Sequence, residues 1–268
     1  MRKALFVGAM AVATLLGIGI APAMAGTGNV YFASCATNDG GACAGYVLTG
    51  TNFRFVHAAT VLRDPPLFSA ITNGVGTQVG LKSKTTGNTW DAIMGVSDTT
   101  TTGTGYSPES LVYHNGSILA VGPNAVFCPG GVNCSSIIGN FAVGDTVNQS
   151  VFFNQASGIV TFQALASNGD LYKAFFPVGI GVLFGQARVE QGFGTFSHPA
   201  ANTELFQNKN ASVTTYSGVR SGLTGKFTTH PEKATSTGTG AGTLQAFPNA
   251  LGSSSSGGSQ FKVFFQHV

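Results

Sequence analysis

Three polar residues at alternating positions of one predicted strand, Gln186, Arg188 and Glu190, are the clearest candidates for chemistry in this sequence. Side chains two residues apart on a strand point to the same side, so an amide, a guanidinium and a carboxylate form a row on one face. Ala187 and Val189 then face the core. Such a row can line a binding cleft, or it can be a solvated face whose Arg188–Glu190 pair contributes little to stability. Both interpretations are open.

Other catalytic and metal-binding patterns are absent from the sequence. There is no G-x-S-x-G elbow, P-loop, H-E-x-x-H or EF-hand loop, so we expect no metal and no cofactor. The spacings of the five histidines do not match any metal-binding motif: His57, His114, His198, His230 and His267. A glycosidase would need two carboxylates facing one cleft. The acidic candidates are few and form no alternating row, which counts against that activity: Asp91, Asp145, Asp170, Glu190 and Glu204.

The only tryptophan, Trp90, is a candidate of a different kind. It is the second residue of a predicted strand that extends from Thr89 to Val96. A tryptophan offers a large apolar ring and one N–H donor, so it serves either in a core or as a surface on which a ligand stacks. The core role is the favoured interpretation, and we keep Trp90 as an alternative lining residue of a binding groove.

The N-terminal residues predict export. Arg2 and Lys3 precede an apolar run over 4–20, and Ala23-Met24-Ala25 is an A-x-A cleavage signal. We therefore expect a signal peptide over 1–25 and one secreted, soluble domain over 26–268. Removing the two N-terminal cations leaves 13 − 2 = 11 basic residues against 10 acidic ones. This balance argues against binding to nucleic acid or to an anionic membrane.

The four cysteines form two close pairs in the sequence, Cys35 with Cys43 and Cys128 with Cys134. In an exported protein an even number of cysteines indicates disulfides, and local pairing is the least demanding of the three possible connectivities. A zinc site is disfavoured because the C-x2-C spacing and suitably placed histidines are missing.

The elements that must position these residues are predicted to be strands throughout. The chain has 38 glycines, 21 phenylalanines and only 9% charged residues, and no window gives a convincing amphipathic helix. Residues 141–196 read as a run of strands with turns at 154–158 and 168–170. Their apolar face needs a covering layer, which we expect the flanking segments to supply. The fold class is therefore all-β, a single two-layer antiparallel β-sandwich.

Several segments, in order, resemble the glutamic peptidases (eqolisins), which are secreted proteins with a concanavalin-like sandwich fold. The segment Val143-Gly144-Asp145-Thr146-Val147 is similar to the family's P-G-D-x-I/V strand start. Gly185-Gln186-Ala187-Arg188-Val189-Glu190 is similar to its A-E-W-I-V-E segment. The remaining segments that carry the resemblance are Ala44–Tyr46, Phe53–Leu62, Val79–Leu81, Ile93–Val96 and Ser259–Val263.

The resemblance implies a glutamate that acts as general base and a glutamine that stabilises the oxyanion. Glu190 falls at the glutamate position, but Ile93 occupies the place of the glutamine and Ala187 that of a tryptophan. We therefore expect no peptidase activity, and instead binding of a glycan or peptide in a groove lined by Gln186, Arg188, Trp90 and Ile93. The alternative is an acid-active endopeptidase that uses Glu190 as its base, with Gln78 or Gln186 supplying the lost amide.

Overall fold

The computed structural model of this chain describes residues 42–63, 75–83, 87–97, 105–119, 125–128, 130, 140–193, 204–218, 220–222, 226–230, 232–234, 242–250 and 260–267. These residues form sixteen strands: β1 (Ala42–Val61), β2 (Val75–Ser83), β3 (Trp90–Ser97), β4 (Ser107–His114), β5 (Ser117–Leu119), β6 (Val126–Cys128), β7 (Thr146–Asn154), β8 (Ile159–Ala166), β9 (Leu171–Pro177), β10 (Phe184–Phe193), β11 (Glu204–Thr215), β12 (Arg220–Gly222), β13 (Lys226–His230), β14 (Glu232–Ala234), β15 (Gly242–Ala250) and β16 (Phe261–His267). In these ranges no helix has the length and apolar character needed to cross a membrane.

The long strand β1 connects the two layers of the fold. Its first half pairs with β10 and β13, and its second half pairs with β7 and β11. The change of partner follows a register shift between Thr49 and Phe53, within which Asn52 has a φ of 57°. Asparagine adopts this left-handed conformation more readily than most residues, and a bulge of this kind bends a strand.

All strand pairs are antiparallel, and together they form one sheet that curls back on itself. One layer has the order β5-β4-β3-β2-β10-β1-β13, and the other has the order β6-β9-β8-β7-β1-β11-β16-β15-β14. Strands β2, β3 and β4 contact β7, β8 and β9 across the space between the layers. The all-β, two-layer sandwich predicted from the sequence is confirmed.

The core lies between the layers and is built by strict alternation. The core residues of the first layer include Val79, Leu81, Ala92, Met94, Val96, Ala187 and Val189. Those of the second layer include Val147, Val151, Phe153, Val160, Phe162, Ala164, Tyr172 and Ala174. The rings of Phe153 and Phe184 meet edge to face, with centroids 5.0 Å apart. Full burial of one such ring stabilises the fold by roughly 1.5–3 kcal/mol.

The covering layer differs in one respect from the sequence prediction. Strands β7, β8 and β9 form the predicted meander, but β10 leaves it and pairs with β1 and β2 in the opposite layer. The crossing occurs over 178–183, where Gly179 and Gly181 have positive φ angles of 102° and 87°. The described part of this stretch, residues 141–193, therefore contributes to both layers, and the flanking segments do not supply the cover alone.

Two sets of sequence predictions lie partly or wholly outside the described residues. The signal peptide over 1–25 is one of them. The disulfides are the other, because Cys35 and Cys134 are not described, whereas Cys128 is buried at the end of β6. Both predicted disulfide pairings, Cys35–Cys43 and Cys128–Cys134, therefore stay predictions.

Candidate functional site

Four neighbouring strands, β10, β2, β3 and β4, bring most of the predicted site residues onto one face, opposite the core. The antiparallel register aligns three rows across these strands. The rows are Glu190-Gln78-Gly95-Glu109, Arg188-Gly80-Ile93-Leu111 and Gln186-Lys82-Asp91-Tyr113. Gln186, Arg188, Glu190 and Ile93 therefore share this face, as the sequence alternation predicts for the three residues of β10.

The side chain of Arg188 lies along the face of the sheet, over β2 and towards β3, instead of pointing away from it. A Cβ placed on Gly80 would lie 3.0 Å from Arg188 Nε, so the glycine leaves the space that this side chain occupies. Arg188 Nη2 donates a hydrogen bond of 2.7 Å to Asp91 Oδ1 on β3. Arg188 Nε lies 3.4 Å from Glu190 Oε2. The guanidinium, only 1% exposed, thus joins two carboxylates on different strands.

Glu190 is buried and hydrogen-bonded. Its exposed fraction is 1%, and Gln78 Nε2 donates a hydrogen bond of 2.8 Å to Glu190 Oε2. On the other side of β10 its register partner is Gly45 of β1, whose missing side chain allows a close approach of the two strands. The sequence alternation led us to expect a carboxylate accessible to a ligand, and the structure instead encloses it between neighbours on β2 and β10.

We call Gln78, Lys82, Asp91, Arg188 and Glu190 the charge cluster. Lys82 Nζ completes it at 3.9 Å from Asp91 Oδ2. Two cations thus face two carboxylates. Arg188, Asp91 and Glu190 are buried, and removing one partner of a buried ion pair typically costs about 3–5 kcal/mol, whereas Lys82 is half-buried. The cluster is therefore coupled, and no member of it can change without affecting the others.

Burial and neighbouring charges act in opposite directions on the two most enclosed members of the cluster. Burial alone would lower the pKa of Arg188, but the Asp91 and Glu190 carboxylates outweigh it and raise that pKa above its usual value. Burial raises the pKa of Asp91 against the opposing attraction of Arg188 and Lys82. Arg188 is therefore a permanent cation that lies beside the carboxylates of Asp91 and Glu190.

Ile93 and the two substitute glutamines occupy three different positions. Ile93 is fully buried in the row of Arg188 and Gly80, and its side chain can neither donate nor accept a hydrogen bond. Of the glutamines that the sequence offers as substitutes, Gln78 contacts Glu190 directly. Gln186 lies in the row of Lys82 and is half-buried. An amide therefore reaches the carboxylate from β2, not from β3.

Glu109 is a residue of this face that the sequence analysis did not single out. It is the register partner of Gly95, and a Cβ on that glycine would lie 3.0 Å from Glu109 Cγ and 3.1 Å from Glu109 Oε1. Its carboxyl group thus lies over β3, in the row of Gln78. Burial raises the pKa of Glu109 to about 7. The signal that marks Glu109 is its pairing with Gly95 in the register of β3 and β4. A search along single strands does not reveal this pairing.

Trp90 lies apart from the charge cluster. Its place in β3 gives it the parity of Ala92 and Met94, so it packs against the edge of the core. The ring stacks on His114, with centroids 4.1 Å apart and 20° between the planes. The pair lines a separate cleft at one end of the sandwich. The structure therefore does not bring Trp90 together with Gln186, Arg188, Glu190 and Ile93.

In the part of the chain that the structure describes, no group of three or more His, Cys, Asp or Glu side chains converges in a way that could hold a metal ion. Asp91 and Glu190 both bind Arg188, so this cation occupies the position that a metal would need between them.

Comparison with known proteins gives a likeness of structure only. Models of protein families do not match this chain, and neither do curated protein sequences. Two solved structures of scytalido-glutamic peptidase match, one with a peptide-based transition state analog and one with a transition state analog inhibitor. Each is 12% identical and covers 85% of this chain and 98% of the peptidase, with TM-scores of 0.53 and 0.51.

A third match is SCP-B, a member of the eqolisin family in complex with the tripeptide Ala-Ile-His. It is also 12% identical, with a TM-score of 0.49, and it covers 85% of this chain and 98% of SCP-B. At this level of identity a likeness shows the fold and not the activity. The chain has the β-sandwich fold of the eqolisin glutamic peptidases.

Proposed function

We propose that this protein is a secreted, eqolisin-like β-sandwich without peptidase activity, and that it binds a peptide or glycan ligand. One observation carries the first part. The Glu190 carboxylate, at the position that the family resemblance assigns to the general base, is 1% exposed and held by Gln78 and Arg188.

A general base must lie within hydrogen-bonding reach of the water that it activates. At Glu190 one carboxylate oxygen already accepts from Gln78 and faces Arg188, and the side chain has almost no contact with solvent. Reaching it would require breaking a buried ion pair, which costs several kcal/mol. In addition, Ile93 stands where the resemblance places the oxyanion donor, and losing one such donor lowers the rate by about 10²–10³-fold.

The binding part of the proposal is supported by the edge of the same face. In the third row Gln186, Lys82 and Tyr113 are half-buried, unlike Arg188 and Glu190 in the rows beside them. Amide, ammonium and phenol groups offer hydrogen bonds to a polar ligand. A preformed sheet also holds them in fixed positions, which lowers the entropy cost of binding.

A second candidate function is an acid-active glutamic endopeptidase, favoured by the Gln78–Glu190 hydrogen bond. An amide and a carboxylate in direct contact are the two groups that this chemistry requires. Here Gln78 would replace the amide missing at Ile93. The candidate requires the charge cluster to open, so that water reaches Glu190.

Incubation of the mature protein with denatured casein or haemoglobin from about pH 3 to about pH 7, followed by mass spectrometry of the products, distinguishes the two functions. We expect no peptides above those released by the Glu190→Gln variant, which controls for contaminating proteases. Cleavage by the wild-type protein that both Glu190→Gln and Gln78→Ala abolish would reject the proposal and establish the endopeptidase.

A further inference from the structure

A small cleft at the end of the sandwich combines an aromatic pair with polar and aliphatic groups. Its volume is about 290 Å³, close to the lower end of the range for small-ligand sites, about 300 Å³. The residues that line it are Asn88, Trp90, His114, Val178, Ile180, Gly181 and Val182. It lies beyond the charge cluster, on the opposite side of β3 from Asp91 and Ile93.

The aromatic side of the cleft is held in place by hydrogen bonds between two hairpin turns. Thr89 N donates to Asn115 Oδ1, and Asn115 N donates to Thr89 O, each at 2.8 Å. Trp90 N donates to Ser83 Oγ at 2.7 Å. These contacts fix the backbone on both sides of the stacked Trp90 and His114 rings. The surface is therefore formed before any ligand arrives, which favours binding.

The polar groups are oriented as well. His114 Nε2 lies 2.9 Å from Asn88 Oδ1 and 3.3 Å from Asn115 Nδ2. The Asn88 amide nitrogen carries two donor hydrogens, and the imidazole has a second ring nitrogen. A ligand in the cleft therefore meets hydrogen-bond donors and acceptors beside the aromatic rings.

The opposite wall is aliphatic and exposed. Ile180 is 77% exposed, although isoleucine is usually buried, and the half-buried Val182 lies beside it. This wall belongs to the segment that carries the chain from β9 to β10, so its position is set by two strands of different layers. Between an exposed aliphatic side chain and an aromatic pair, a ligand can bury its apolar surface, which contributes favourable free energy to binding.

We infer that this cleft binds a neutral saccharide. None of the described residues that line it is Lys, Arg, Asp or Glu, which argues against a charged ligand. A sugar ring has an apolar C–H face and a rim of hydroxyl groups. The aromatic pair and Ile180 match the first, and Asn88 and His114 match the second. This inference rests on the ligand-binding part of the proposed function and assigns it a site.

The chain's single tryptophan makes the test direct, since Trp90 is the only indole that reports in fluorescence. The full mature protein is titrated with a panel of neutral disaccharides (cellobiose, maltose, xylobiose and N,N′-diacetylchitobiose) up to about 10 mM, a range that detects millimolar affinity. We expect a saturable change in Trp90 emission with at least one of them. Calorimetry of His114→Ala and Asn88→Ala should then show binding weaker by roughly tenfold.

The matched control is Phe152→Ala. Phe152 is 38% exposed and lines a neighbouring cleft of about 620 Å³ that shares only Ile180 with the first. This variant should bind the disaccharide as the wild-type protein does. Binding that survives His114→Ala and Asn88→Ala would place the saccharide elsewhere and overturn the inference, while leaving the proposed function intact.

Two other outcomes also reject the site. Saturable binding of trialanine but of no disaccharide would show a peptide-binding protein and refute the saccharide. An absence of any binding up to about 10 mM would refute both the site and the ligand-binding part of the proposed function. The peptidase assay is independent of all these outcomes.

Discussion

At the scale of one residue, the carboxyl group of Glu109 shows how the fold changes the pKa of a side chain. The neighbouring Gly95 provides space for this side chain over β3, and burial raises its pKa from 4.5 to about 7. The folded chain therefore holds this proton more tightly than the unfolded chain does. Between about pH 4.5 and pH 7 folding takes up a proton, so this group's contribution to stability falls as pH rises through that window.

Replacing this group tests the shift. In the wild-type protein, Glu109 should make the free energy of unfolding lower at about pH 8 than at about pH 5, by on the order of 1–3 kcal/mol because the side chain is only half-buried. The neutral Glu109→Gln variant should lose most of this difference, as measured by urea denaturation at both values. Equal pH dependence in the two proteins would contradict the raised pKa of Glu109.

Single residues also mark the limit of what the sequence could predict about the site. The alternation of Gln186, Arg188 and Glu190 correctly predicted a shared face, because the strand period depends only on the local chain. The contacts of Gln78 and Glu109 depend on which strands pair and in what register. A pattern read along one strand carries no such information. For the same reason, the burial of the Glu190 carboxylate could not be predicted from the sequence.

At the scale of elements, the approach of β1 to β10 depends on a glycine. A Cβ on Gly45 would lie 2.1 Å from Val189 O and 2.6 Å from Glu190 Cα, both backbone atoms. These atoms cannot yield unless the two strands separate. A Cβ on Gly80 would instead lie 3.0 Å from Arg188 Nε and 3.2 Å from Ala92 O, contacts that are tight but far less severe than those at Gly45.

We therefore expect the two substitutions to differ. Gly45→Ala should lower the free energy of unfolding by about 3 kcal/mol or more, because it forces apart a central strand pair. Gly80→Ala, the matched control on the same sheet, should cost about 1–2 kcal/mol because its new contacts with Arg188 and with the Ala92 carbonyl oxygen require only small shifts. Urea denaturation of both variants measures the difference. Equal losses, or a larger loss for Gly80→Ala, would refute the close approach at Gly45.

The elements themselves were predictable to different degrees. The hairpin of β4 and β5 follows from Asn115-Gly116, which has the positive φ angles of 52° and 81° that such turns require. The strand β15 was not predicted. It contains Pro248, which lacks an N–H donor and so weakens the pattern of a strand, yet it pairs with β16 over 244–250. The crossing of β10 to the other layer was also missed, because its apolar alternation suits either layer.

At the scale of the whole molecule, the sandwich is one curled sheet in which β1 belongs to both layers. This arrangement was predictable as a fold class, since alternating apolar residues require two facing layers. It also explains how chains that are 12% identical share a fold, because alternation can be kept while individual side chains change. In this chain the buried Arg188 binds Asp91 and Glu190 on the face opposite the core. The face opposite the core is consequently closed by an ion-paired cluster.

Glu190 serves the structure of this molecule by joining Gln78 and Arg188. The most direct test is the free energy of unfolding of Glu190→Gln, measured by urea denaturation at about pH 7. The sequence pattern alone predicts a loss of no more than about 1 kcal/mol. The buried hydrogen bond and ion pair raise the expected loss to about 1.5–3 kcal/mol. Unchanged or increased stability would contradict this structural role of Glu190, since that is the behaviour of a carboxylate kept for function at the expense of stability.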